Sequence, residues 1–301
     1  MLSPDLQRAI RRIEIRTRRL VNDSLAGEYH AIFKGRGMDF DEVRLYQPGD
    51  EVRAIDWNVT ARMGEPYIKR YVEERELTVM IAFDASASGL FGTQERLKRE
   101  LAAELAAVLA FSAITNNDKV GLLVFTDRVE LYIPPRKGRR HVLRLIRDLL
   151  AIAPEGRGTD IALALGWLNR TLQHRAILFL VSDLLHNPTP PATDDALQRT
   201  LVVTNRRHDV VAVTIADPRE AEWPSAGLVA LEDAETGRIA WVDSASRAWR
   251  AAFARRAATR LAARDAMLAR AQIDRVDACL GQDYVGPLLA FFQRRARRLR
   301  R

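Results

Sequence analysis

Four short runs of almost unbroken apolar residues set the architecture of this 301-residue chain: Leu77–Phe83, Val120–Phe125, Ala176–Val181 and Val210–Ala216. A strand with one wet face alternates polar and apolar residues. A strand that is apolar at every position is covered on both faces, as in parallel sheets sandwiched between helices. The segments between these runs have helical periodicity. Glu95–Thr115 sets Leu97, Leu101, Leu105 and Val108 on one stripe, and residues 139–152, 160–172 and 193–206 read the same way. Val129–Ile133 reads as an edge strand and Asp274–Leu280 as a last strand. Leu228–Glu232 and Arg238–Val242 read as a hairpin turning at Glu235-Thr236-Gly237. Helices are expected at 244–271 and 284–299. Strands alternating with helices imply an α/β fold: a doubly wound, mostly parallel sheet with helices on both faces.

The region before Leu77 differs. Residues 3–22 predict a helix capped by Ser3, with Pro4 in its first turn, Leu6, Ile10, Ile13 and Leu20 on one face, and arginines on the other. Turn signals at Gly35-Arg36-Gly37, Gln47–Asp50 and Met63–Pro66 break up short strand-like runs at Phe40–Tyr46 and Tyr67–Val72. Residues 1–76 are therefore expected to form a small extension of helix, loops and short strands. Residues 77–301 are expected to form the main domain, with a helical C-terminal elaboration and a basic tail.

Composition narrows the setting. No apolar run reaches the ~18–20 residues of a membrane span, and the charged N-terminus is unlike a signal peptide. A single cysteine, Cys279, rules out an internal disulfide and reads as a small buried side chain; a cytoplasmic protein is expected. The formal charge of +8 is concentrated at the ends. Residues 1–20 carry a net +4 and the terminal RRARRLRR +6, which leaves −2 for residues 21–293.

Asp84-Ala85-Ser86-Ala87-Ser88 directly follows the first buried run. In a doubly wound sheet, the carboxyl ends of the strands form the ligand crevice. An acid and two hydroxyls at alternate positions aim oxygens at one point, and hard cations take oxygen ligands. Thr159, in Gly158-Thr159-Asp160, and Asp183, after the third buried run, reach the same edge by this topology. Asp217 also follows a strand but is expected to lie farther out, and Asp160 reads as a first-turn helix residue.

These three segments resemble the metal-ion-dependent adhesion site of von Willebrand factor A domains, in residue types Asp84, Ser86, Ser88, Thr159 and Asp183. The resemblance implies a Rossmann-like fold of that class. It implies one divalent ion, Mg²⁺ in the first place with Mn²⁺ or Ca²⁺ as alternatives, contacted directly by Ser86, Ser88 and Thr159 and through water by Asp84 and Asp183. It further implies a protein partner whose Asp or Glu completes the ion's shell. The preceding segment, with Pro48, Gly49, Asp50, Arg53, Ile55, Asp56, Trp57, Ala61 and Arg62, resembles the hallmark of the bacterial domain of unknown function 58 family. That resemblance implies a MoxR-type AAA+ ATPase as partner. In physical terms, Pro48-Gly49 makes a turn, Arg53, Asp56 and Arg62 suit a buried or half-buried charged network, and Trp57 suits an anchor by area.

Catalytic signatures are missing: the sequence has no GxSxG elbow, no HExxH and no Walker A. His30, His141, His174, His186 and His208 lack ligand or triad spacing and read as surface or loop residues. The leading expectation is a metal-dependent interaction module, an adaptor rather than an enzyme, with no small-molecule substrate. Two other readings stay open. A metal-assisted phosphoesterase would rely on Asp160 and Asp217. The Arg-rich ends, with Leu288, Leu289, Phe291 and Phe292 beside the terminal arginines, would bind nucleic acid or an anionic membrane surface.

Overall fold

The computed structural model describes residues 11, 13–15, 17, 21, 29, 38–73, 76–185 and 192–299. Of the helix expected over 3–22, residues 11, 13–15, 17 and 21 are helical, and the rest lies outside the described residues. So do Gly35-Arg36-Gly37, His30, His186 and the last two arginines. The chain divides into two compact units, Phe33–Leu77 and the remainder, Met1–Ile32 with Thr78–Arg301.

In the smaller unit, β1 (Met38–Leu45) pairs antiparallel with β2 (Tyr67–Glu73). A short helix, α1 (Trp57–Met63), lies between them in a region expected to hold only loops and strands. Asp56 explains it. Its carboxylate accepts from Asn58 N (3.0 Å) and Val59 N (3.3 Å), capping the helix start. Gly64, at φ +80°, ends the helix in the left-handed conformation that glycine adopts without strain. Thr60 Oγ1 then accepts from Tyr67 N (3.0 Å), tying α1 to β2.

The larger unit carries a six-stranded sheet in the order β10-β7-β6-β3-β4-β5. Its strands are β3 (Thr78–Asp84), β4 (Lys119–Phe125), β5 (Val129–Arg136), β6 (Ile177–Ser182), β7 (Asp209–Ala216) and β10 (Asp274–Cys279). All neighbours are parallel except β5, antiparallel on β4 at the edge. An edge strand tolerates Pro134 and Pro135, which a central strand would not. The other two strands, β8 (Leu228–Glu232) and β9 (Ile239–Asp243), form a separate antiparallel hairpin at the expected place.

Helices cover both faces of the sheet. On one, α4 (Ile161–Thr171), α5 (Ala192–Arg207) and α6 (Arg247–Arg270) close over Met80, Ala82, Leu123, Leu178, Leu180 and Ala212. On the other, α2 (Lys98–Thr115) packs across the central strands beside α3 (Arg139–Ala151). The α2 helix is apolar nearly all round and buried nearly all round, as a central helix must be. Burying a Leu or Val side chain in this core stabilises the fold by roughly 1.5–3 kcal/mol. Two helices start three residues later than the periodicity suggested: α2 at Lys98, and α6 at Arg247 behind the cap Ser246, whose Oγ accepts from Trp249 N.

The last helix, α7 (Val285–Leu299), corrects the membrane-surface reading of its apolar stripe. Leu288, Phe291 and Phe292 are buried, and Phe292 meets Tyr29 edge-on. That stripe is already core and is not free for lipid. Two of the basic residues are also engaged within the fold: Arg295 pairs with Asp209, and Arg298 Nη1 with Asp274 at 2.8 Å. Among the described residues, no helix is long and apolar enough to cross a membrane.

Candidate functional site

The chain leaves β3 for β4 on one side of the sheet, then returns to β6 on the other side of β3 and continues outward to β7 and β10. The carboxyl ends of β3 and β6 therefore flank the point where the winding reverses, the usual ligand crevice of such sheets. Asp84 ends β3, Ser182 ends β6, and Asp183 follows it.

Asp84 is joined across that crevice by Ser182, whose Oγ donates to Asp84 Oδ2 at 2.6 Å. Asp84 Oδ1 accepts from Ser86 N (2.9 Å), which curls the loop so that the Ser86 and Ser88 hydroxyls lie 3.1 Å apart. No Lys or Arg is among the hydrogen-bond partners of this acid in the described residues. Burial, and then the nearby charge of Asp183, push its carboxyl up to about 6 against the opposing pull of Ser182 and Ser86.

Asp183 is held differently. Its Oδ2 accepts from Lys98 Nζ at 2.8 Å, and Lys98 also donates to Glu220 at 2.5 Å. Lys98 is the first residue of α2, where the helix dipole disfavours a cation; the two carboxylates reverse that preference. Burial alone would lower the ammonium pKa, but Asp183 and Glu220 outweigh it and raise it. Leu184, buried at φ +54°, turns the chain so that Leu184 N reaches Ser182 Oγ (3.0 Å) and Leu185 N reaches Asp183 Oδ1 (3.0 Å). A left-handed leucine is strained, and such strain concentrates at functional rims.

Thr159 arrives on a loop fixed from both sides. Glu130 accepts from Gly156 N (2.8 Å) and Thr126 Oγ1 (2.7 Å), and a Cβ on Gly156 would stand 2.2 Å from Thr126 Oγ1. Asp160 N donates to Thr126 O (2.9 Å), and Ala87 N to Arg157 O (3.0 Å), so this loop is tied to the Ser86–Ser88 loop. The Thr159 hydroxyl donates to Glu235 Oε1 at 2.9 Å. Asp160 caps α4 by accepting from Leu163 N. Asp217 is buried and accepts from Thr93 N, Thr93 Oγ1 and Arg219 N, each at 2.7 Å, which joins the end of β7 to the loop before α2.

Sequence reasoning missed Ser182, Lys98 and Glu235 at this rim. Ser182 had a signal, since it precedes Asp183 at a strand end; Lys98 and Glu235 come from distant segments and had none. Three other expectations are corrected. Trp57 is 67% exposed, so most of its ring area is not buried, and Arg53 and Arg62 are exposed rather than half-buried; the Asp56 carboxylate caps α1. His208 is buried rather than on the surface, its Nδ1 accepting from Ala176 N, and burial with Arg207 and Arg175 lowers it to about 4. Cys279 is half-buried rather than in the core.

Among the described residues, no three His, Cys, Asp or Glu side chains gather as a metal-holding group. A cation here would draw on hydroxyls together with the two carboxylates. Ser86, Ser88 and Thr159 offer lone pairs, and Asp84 and Asp183 offer charge, which is the donor chemistry of a small hard ion.

The fold and this rim define an α/β protein with an acid-and-hydroxyl crevice at the reversal point of its sheet. Over residues 42–263 the chain belongs to the family described as "Protein of unknown function DUF58". It is 34% identical over 238 residues to the uncharacterized protein Rv1480 of Mycobacterium tuberculosis, covering 78% of this chain and 73% of that one. It is 26% identical over 107 residues to the uncharacterized protein YeaD of Bacillus subtilis, covering 36% of this chain and 25% of that one. Among solved structures, the conserved hypothetical protein BatB from Bacteroides thetaiotaomicron matches with a TM-score of 0.47 at 18% identity, over 73% of this chain and 99% of that one.

Proposed function

We propose that Asp84, Ser86, Ser88, Thr159 and Asp183 hold one divalent cation, Mg²⁺ before Mn²⁺ or Ca²⁺, in the manner of the adhesion site of von Willebrand factor A domains. The cation serves to bind a protein partner. The observation that carries this reading is Asp84. It is a half-buried carboxylate, its pKa raised by burial and by Asp183, and among the described residues it is bonded to a hydroxyl and a backbone N–H with no cationic side chain. A divalent ion beside it removes that penalty, and the Ser86 and Ser88 hydroxyls lie together on the same loop. When bound, the ion supplies an electrophilic position for an incoming carboxylate. Of the two acids, Asp183 is already shared with the Lys98 ammonium, so the ion's charge is only partly offset and the remainder attracts the Asp or Glu of a partner.

The reading assigns no catalysis. Both of the other rim acids a phosphoesterase would call on are engaged in the fold, Asp160 as a helix cap and Asp217 by Thr93 and Arg219 N. By the resemblance of the Pro48–Arg62 segment, we take the partner to be a MoxR-type AAA+ ATPase and the protein to be its cytoplasmic adaptor.

Calorimetric titration with Mg²⁺ and Mn²⁺ tests the first half: one ion per chain is expected, lost in Asp84→Ala. Affinity capture from the native host, with and without chelator, tests the second half. A AAA+ ATPase recovered only with metal supports the adaptor. The same ATPase recovered with chelator, or by Asp84→Ala, refutes metal-mediated binding.

A further inference from the structure

The β8–β9 hairpin pairs with no other strand among the described residues. A two-stranded ribbon is marginal on its own. Its outward face carries Leu228, Ile239 and Trp241, all more than 60% exposed, so burial of that face does not hold it down. Its base is clamped. Buried Ser244 donates from N and Oγ to Gly227 O, and its Oγ accepts from Ala226 N. Its tip is shaped in advance. Asp233 accepts from Glu235 N (3.0 Å) and Thr236 N (3.1 Å), and Gly237, at φ +69°, closes the turn with its N–H on Asp233 O (2.7 Å). This turn delivers the Glu235 carboxylate, 76 residues along the chain, to the hydroxyl of Thr159.

That contact uses the one proton of the Thr159 hydroxyl and leaves its lone pairs free for a cation. A carboxylate thus already stands where the rim is open to solvent, carried on an element whose base and tip are shaped by its own hydrogen bonds. We propose that Glu235 is an internal acid of the cation site: it fills the approach that a partner's Asp or Glu has to use, and the β8–β9 hairpin is a latch that such a partner lifts. The proposal rests on the divalent-cation reading above. It makes the rim self-occupied, with an effective concentration for Glu235 that a free carboxylate must overcome.

Mn²⁺ alone is the probe, read by its affinity and by water-proton relaxation per bound ion, on the whole chain. The parent is expected to bind one Mn²⁺. Glu235→Gln, an exposed and near-isosteric change, is expected to bind it three- to tenfold more weakly and with higher relaxation enhancement, because water enters where the carboxylate stood. Asp233→Ala keeps Glu235 but loosens the turn, and is expected to raise the enhancement as well. Equal affinity and equal enhancement in parent and Glu235→Gln would overturn the latch while leaving the cation site standing. If the parent shows no saturable Mn²⁺ binding, the cation reading itself fails and the latch with it.

Discussion

Three acids stand at strand ends of the same sheet, and they meet three different environments. Asp217, after β7, is satisfied by Thr93 and the backbone. Asp183, after β6, is neutralised by the buried ammonium of Lys98. Asp84, after β3, is bonded to Ser182 and to its own loop, and its carboxyl is pushed up to about 6. The outer side of the rim is therefore braced, with Lys98 bridging Asp183 and Glu220 and Thr93 holding Asp217, whereas among the described residues the acid beside Ser86 and Ser88 has no cationic side chain bonded to it. A carboxylate at a strand end marks a possible site. What decides whether it is brace or ligand is the partner that a distant segment supplies.

The largest expected effect comes from opening the braced side. Lys98→Met leaves Asp183 and Glu220 facing each other without the ammonium between them, and breaking a buried ion pair by removing one partner costs about 3–5 kcal/mol. Urea denaturation measures it. A loss below about 1 kcal/mol would mean that Asp183 is solvated in solution and that the two sides of the rim are alike.

A smaller effect of opposite sign is expected at Asp84. The Asp84 carboxyl sits at about 6 in the fold against an ordinary 3.8, so the folded state holds its proton more tightly than the unfolded chain. Its contribution to stability is full below pH ~4 and is lost as pH rises through 6. Without metal, the ionised acid at pH 7.5 thus destabilises the fold, by on the order of 3 kcal/mol. Asp84→Asn removes that penalty. In chelator at pH 7.5 the variant is expected to be the more stable protein, and at pH 4 the two converge. Added Mg²⁺ reverses the order, stabilising the parent by about 4.1 kcal/mol at a thousandfold excess over Kd and the variant not at all. A variant less stable than the parent in chelator would show that Asp84 already has its counter-charge.

Much of this fold was legible because burial on two faces leaves an unambiguous trace. The runs ending at Phe83, Phe125, Val181 and Ala216 are strands, and the hairpin around Glu235 is where its turn residues put it. Helix α1 was not legible. Seven residues are too few for a periodic signal, and its cause, the Asp56 cap, is a single side chain bonding to N–H groups two and three residues on. At the rim, Asp84, Ser86 and Ser88 share one short loop and could be read together. Lys98 reads as an ordinary first-turn lysine, and its ion pair with Asp183 spans 85 residues, which no local pattern encodes. Thr159 met Glu235 for the same kind of reason, across a gap that only the tertiary fold closes.

Trp57 gives the smallest effect and the sharpest contrast with the rim. Aromatic side chains contribute by the area they bury, and this one is 67% exposed as the first residue of a seven-residue helix. Trp57→Ser is therefore expected to change stability by less than about 0.5 kcal/mol. Asp56→Ala, one residue earlier, removes the cap and is expected to cost about 1 kcal/mol. Thermal melts of both variants measure the order. It inverts what residue size suggests, because stability here follows satisfied N–H groups rather than ring area. A loss above about 2 kcal/mol for Trp57→Ser would show the ring packed against protein in solution, and would move the Pro48–Arg62 segment from the exposed to the buried side of the comparison.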